Sequence, residues 1–134
     1  MLQLNIYNKV EEMAQLGPFM DEVGNQLAVS PDVIFQMSLA LDEALANSVN
    51  YAYPENSQGL ITLTADKHDG QLVFQLIDAG VPFDPTKGGD VDITLSAEER
   101  PIGGLGIFLI KQMMDSVSYE RNADKNVLTM VKKL

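Results

Sequence analysis

At 134 residues and 14.7 kDa, with 46% hydrophobic and 21% charged residues, the chain has the size and balance of one globular domain closing a single core. A net charge of −10 and a pI near 4.3 argue against a binder of nucleic-acid backbone, which needs a concentrated basic surface that nine Lys and Arg residues do not supply. The absence of cysteine excludes disulfides, thiolate zinc sites and a catalytic thiol, and no apolar run approaches the ~20 residues of a membrane span.

Any phosphate site must therefore act locally, through backbone amides and a divalent cation. Met1 to Val10 alternate polar and apolar residues, unlike a signal peptide, so a cytoplasmic protein with no membrane contact is expected. Leu2, Leu4 and Ile6 alternate with Gln3 and Asn5, which predicts a short strand. Asn8 then reads as a helix cap with Glu11 as its reciprocal partner. From Lys9 to Ala28 apolar residues recur every three or four positions, a helical period with a kink or break expected at Gly17-Pro18. Ser30-Pro31 is a strong start signal for a second helix, whose stripe of Ile34, Met37, Leu41, Leu45 and Ser48 runs to about Ala52 before Pro54 stops it.

Gly59 to Lys67 and Gln71 to Asp78 are β-rich and joined by His68-Asp69-Gly70, the signature of a hairpin. Gly80 to Pro101 reads as a long loop, of a length usual for lids and binding loops. A helix from Leu105 to Met114 and two closing strands, Ser116 to Asn122 and Asn126 to Lys132, complete the order. Hairpins joined to amphipathic helices define a two-layer α+β sandwich in one domain, residues 1–134.

Three short clusters carry candidate chemistry. Glu43, Asn47 and Asn50 share a stripe of the second helix roughly opposite Leu41 and Leu45. Most polar stripes simply face solvent. This one is flanked by Ala40, Ala44, Ala46 and Ser48 rather than by the Lys/Glu pairs of an exposed face, as though something packs close to it. Asp78-Ala79-Gly80 ends an apolar strand and, taken alone, is an ordinary terminator. A carboxylate there can also accept from an exocyclic amine, and a glycine beside it lets a flat ring approach the backbone. Gly103-Gly104-Leu105-Gly106 precedes a helix whose first amides can bind phosphate oxygens, although the same glycines could serve as a hinge. The cluster is neither a Rossmann fingerprint nor a P-loop. His68, the lone histidine, falls in a turn, and Asp90 and Asp92 lack the loop of a calcium site.

In this order, Glu43-Ala-Leu-Ala-Asn47, Asp78-Ala-Gly80 and Gly103-Gly-Leu-Gly106 resemble the motifs of the Bergerat-fold (GHKL) ATPases. Within that group the phrasing of Ala40 to Asn47, Pro101 to Gly106, and Met113-Met-Asp115 with Tyr119-Glu-Arg121 is similar to the stand-alone anti-sigma-factor serine kinases, over essentially the whole chain. The resemblance implies a mixed, mostly antiparallel sheet covered on one face by three helices. It implies ATP and Mg²⁺ as ligands, with Asn47 on the metal and Glu43 as the base. Asp78 would take the adenine amine, with Gly80 making room for the ring. Gly103, Gly104 and Gly106 would form the phosphate cradle, Arg100 would reach the γ-phosphate, and Thr129 would support the adenine through water.

The activity so implied is phosphorylation of a small antagonist protein on serine by a kinase that also holds a sigma factor or another effector, working as a homodimer. Two rivals stand beside it: a Bergerat-fold module that binds ATP and partner without phosphorylating anything, and an ATPase serving an unrelated switch.

Overall fold

A computed structural model of the chain describes residues 1–54, 56–87 and 104–134. Five strands, β1 (Leu2–Tyr7), β2 (Leu60–His68), β3 (Gln71–Asp78), β4 (Ser116–Asn122) and β5 (Lys125–Lys133), form one sheet in the order β1-β2-β3-β5-β4. All pairings among the described residues are antiparallel, so the expected mixed sheet is here purely antiparallel. The β2–β3 hairpin turns at Asp69 and Gly70, both at positive φ (51° and 74°), as a two-residue turn matched to the sheet's twist requires. His68, expected in the turn, is the last residue of β2, exposed and 2.8 Å from Asp66.

Three α-helices lie on one face: α1 (Leu16–Gln26), α2 (Pro31–Asn47) and α3 (Gly104–Met113), with α2 packed against both others. Strand alternation points Ile6, Ile61, Leu63, Phe74, Leu76, Leu128 and Met130 at that layer, which answers with Met20, Val23, Met37, Leu41, Leu45 and Ile110. Fully burying one such side chain contributes roughly 1.5–3 kcal/mol, so this contact holds the two layers together. The opposite face, with Val73, Gln75, Ile77, Val127, Thr129 and Val131 half-buried among themselves, carries no helix among the described residues.

The start of the helical region differs from expectation. Residues Val10–Gln15 form a 3₁₀ helix, and its N-cap is Lys9, with no side-chain cap bond. Asn8 instead ties the chain to the loop before β2: its Nδ2 donates to the Ser57 carbonyl at 3.0 Å and its Oδ1 accepts from Gly59 N–H at 2.8 Å. Glu12 rather than Glu11 reaches back, accepting from Tyr7 N–H at 3.0 Å. The helix then changes from 3₁₀ to α at Leu16, and Pro18 occupies the first turn of α1, where a missing N–H costs nothing. Ser30 caps α2 as expected, its side chain accepting from Val33 N–H with Pro31 at the first position. The α-helix ends at Asn47 and continues as a π-turn, Ser48–Ala52.

Candidate functional site

Asp78 closes β3 on the helix-facing side, in step with Leu72, Phe74 and Leu76. The alternation that buries those side chains thus carries a carboxylate inward, leaving it 7% exposed. A buried carboxylate needs donors, and three reach it. Gly80 N–H and Asn126 Nδ2 donate to Oδ1, each at 2.9 Å, and Ser48 Oγ donates to Oδ2 at 3.2 Å. Oδ1 is occupied twice, whereas Oδ2 holds a single donor among the described residues and keeps acceptor capacity.

Asn126 faces Asp78 across the β3–β5 ladder and is equally buried. Its Nδ2 also donates to the Val81 carbonyl at 2.8 Å, and its Oδ1 accepts from Phe83 N–H at 3.4 Å, from Arg121 Nη1 at 3.2 Å and from the Tyr119 hydroxyl. Arg121 Nη1 donates as well to the Gly80 carbonyl at 2.9 Å. The segment after β3 is thereby hooked to the β4–β5 edge.

The other side of this corner is set by the π-turn. Val81 N–H donates to the Ala52 carbonyl at 2.9 Å, and a Cβ on Gly80 would fall 2.1 Å from that same oxygen. Glycine at 80 is thus demanded by the backbone of the α2 extension, whatever a ligand requires. Behind the corner, the Tyr53 hydroxyl accepts from Ala79 N–H at 2.8 Å and donates to the Leu60 carbonyl at 2.6 Å. Burial pushes its pKa up, the Ala79 N–H acts in the opposite direction, and the Asp78 charge adds to the rise.

Asp78 and Asn126 line a small cleft of about 50 Å³ that opens to solvent. Leu76, Leu128, Ile110, Ala44 and Ala52 supply apolar walls, Tyr51, Val81 and Phe83 are exposed along it, and Asn47 and Ser48 bring polar atoms from α2 and its extension. Apolar walls around a buried acceptor suit a heterocycle carrying an amine. The cleft thus brings together Asn47 and Asp78 of the sequence-predicted set.

Glu43 sits one helical turn before Asn47, about 6 Å along the axis, half-buried and outside the cleft wall. The stripe they form lies at the margin of the buried surface of α2, because Ala40 and Ala44 are buried in the core as α2 packs between its neighbours. Much of the smallness that marks this stripe is therefore helix packing. Asn50 is exposed and lines a separate polar groove with Asn8 and Ser57. Gly104 and Gly106 fall in the first turn of α3, whose leading N–H groups have no partner within the helix. Thr129 does not line the cleft: it projects from the other face of the sheet, where its Oγ1 accepts from Gln75 Nε2 at 3.2 Å. The role expected of it at the adenine is corrected accordingly. Arg100, Gly103 and most of the Gly80–Pro101 loop, with Asp90 and Asp92, lie outside the described residues.

Sequence reasoning missed Ser48, Tyr53, Tyr119, Arg121 and Asn126. Ser48 was placed in the apolar stripe, and the other four matter only through a strand pairing that no local pattern announces.

An antiparallel sheet with helices on one face, and a cleft holding a buried aspartate at one end beside an asparagine from the second helix, define a class of nucleotide-using domain. The sequence profile of the histidine kinase-like ATPase domain matches residues 6–132, and the chain belongs to that family. Its relatives include the serine-protein kinase RsbW of Bacillus cereus, 32% identical over 95% of this chain and 81% of the relative, and RsbW of Bacillus anthracis, 31% identical over the same shares. Among solved structures, the chain resembles a Mycobacterium tuberculosis protein with RsbU and RsbW domains (TM-score 0.61, 18% identity, all of this chain and 33% of that one). It also resembles the histidine kinase domain of a blue-light activated kinase from Erythrobacter litoralis (TM-score 0.57, 15% identity, 91% of this chain and 60% of that one). At those identities the structures establish the fold. Membership in an ATPase family implies nucleotide use. No helix among the described residues is long and apolar enough to cross a membrane.

Proposed function

We propose that the chain is an ATP-dependent protein serine kinase of a bacterial partner-switching system, acting on a small antagonist protein and holding a sigma factor or another effector. The observation that carries this reading is the shared cleft, which Asp78 lines with a buried acceptor and Asn47 with an amide oxygen from the second helix. It is supported by similarity to serine-protein kinases along nearly the whole chain.

In this reading residues 1–134 act as one catalytic domain. Asp78 Oδ2 accepts from the adenine amine, and the apolar walls exclude water from the ring. Asn47 Oδ1 would hold Mg²⁺, which when bound neutralises phosphate charge. The first-turn amides at Gly104 and Gly106, with Gly103 before them, cradle phosphate oxygens, and Arg100 adds a cation at the γ-phosphate. Glu43 accepts the proton of the serine hydroxyl as its oxygen forms a bond to the γ-phosphorus and the bridging bond to the β-phosphate breaks, releasing ADP. Positioning and charge neutralisation do most of this work, so one half-exposed carboxylate is a sufficient base. The kinase works as a homodimer.

Incubation with labelled ATP, Mg²⁺ and a candidate antagonist protein tests the reading. Phosphoserine on the antagonist is expected with the wild type and not with Glu43→Gln. Tight ATP and partner binding with no transfer would replace the kinase by a binding module.

A further inference from the structure

Asn126 has no role in the proposed chemistry, yet it is the most densely bonded side chain at the site. Both Nδ2 hydrogens are committed, to Asp78 Oδ1 and the Val81 carbonyl, and its Oδ1 faces donors from Phe83, Tyr119 and Arg121. With donors on one side and acceptors on the other, only one amide orientation satisfies the network. That orientation has two effects at once. It occupies Asp78 Oδ1, so Oδ2 is the oxygen left with acceptor capacity. It also fixes Val81 and Phe83, which line the cleft beside that acceptor.

We propose that Asn126 is the positioning residue that sets base specificity. It holds the Asp78 carboxylate in plane with an exocyclic amine and the Val81–Phe83 segment alongside the ring, with Arg121 and Tyr119 holding Asn126 in turn. This deepens the nucleotide-binding reading and rests on it. Asn126 itself touches no ligand atom in this account.

The test is a thermodynamic cycle between position 126 and the base amine. Binding of ATP and of purine riboside triphosphate, which lacks only the 6-amino group, is measured by calorimetry for wild type, Asn126→Asp and Arg121→Met. Removing the amine should cost the wild type about tenfold or more in affinity, the loss typical of one hydrogen bond to a charged acceptor. Asn126→Asp keeps the shape but sets an acceptor against Asp78 Oδ1 and the Val81 carbonyl, so its two affinities should converge to within a factor of about two, the sign of lost coupling. A merely structural role would weaken both ligands equally and leave the ratio at the wild-type value, which would overturn the proposal. Should Asn126→Asp fail to fold, Arg121→Met decides. Arg121 is exposed, and its loss removes one donor from Asn126 Oδ1 and one from the Gly80 carbonyl, so the ratio should fall several-fold, and an unchanged ratio would again overturn the proposal. A wild type that binds neither nucleotide would refute the nucleotide reading itself, and this inference with it.

Discussion

The Asp78 corner and the polar stripe of α2 are built differently. At the Asp78 corner the central polar groups are buried and paired: Ser48 and Asn126 each donate to Asp78, and the half-buried Tyr53 and exposed Arg121 brace the backbone around it. On the α2 stripe, Glu43, outside the cleft, and Asn47, in its wall, stand half-exposed, and neither makes a hydrogen bond to another described residue. The first region is structural as well as recognitive. The second has groups whose partners, in the proposed function, arrive with the substrate. Changes in the two regions should therefore separate stability from activity.

The largest separation is expected at Glu43. Glu43→Gln keeps size and removes the proton acceptor, so phosphoryl transfer should drop by ~10²–10⁴-fold with ATP affinity and melting temperature unchanged. Transfer at the wild-type rate would break the comparison at its reactive end. Gly80→Ala should do the reverse. Its Cβ would fall 2.1 Å from the Ala52 carbonyl oxygen, an overlap with backbone that only a shift of the π-turn can relieve. Overpacking of this kind costs about 3 kcal/mol, so chemical denaturation should show a lowered midpoint, and an unaltered midpoint would mean the corner is loose.

Asp78→Asn sits between these extremes. It exchanges an acceptor for a donor facing Ser48 or Asn126, and should weaken ATP by ~1.5–3 kcal/mol while costing some stability. Calorimetry with paired melting curves reads both, and a change in only one of them would show that the two roles of this corner are separable. Asn47→Ala should weaken Mg²⁺-dependent nucleotide binding by about tenfold, the order of one lost charge-assisted bond, without altering the melt.

The smallest effect concerns Tyr53. Its raised pKa means the folded state holds the phenolic proton more tightly than the unfolded chain does. Its contribution to stability is therefore complete below the ordinary value of 10.0 and is lost as pH climbs from there through the raised value. The gap in melting temperature between wild type and Tyr53→Phe should narrow as pH rises above 10; a constant gap would place the hydroxyl outside the buried corner.

Much of this was legible in the sequence, for local reasons. Capping at Ser30-Pro31, the period of α2, the Asp69-Gly70 turn and the alternation of β3 and β5 each depend on residues a few positions apart. Asn47 stands out by its stripe on the second helix, whereas Asp78 alone reads as a strand terminator and is singled out by the motif order. The missed parts are nonlocal. Asn8 looked like a helix cap, but the loop before β2 offers it two partners that no neighbouring residue reveals. Gly80 was given a ligand-based reason because the approach of Ala52 depends on how a π-turn from another part of the chain lands beside it. Thr129 shows the same limit in reverse: its side of the sheet follows from alternation with Leu128 and Met130, a count the strand itself contains.

The pairing of Asp78 with Asn126 has a consequence for how the protein acquires its site. Side chains alternate across a strand, so a slip of one residue between β3 and β5 turns one partner to the outer surface and leaves the other alone in the core. Such a slip would also break the stacking of Phe74 on Met130 and Leu76 on Leu128, the apolar neighbours that share the same ladder. The site therefore does not improve gradually as the chain compacts. It is correct or absent according to one choice of alignment, and the greasy residues that gain most from that choice act as its proofreaders.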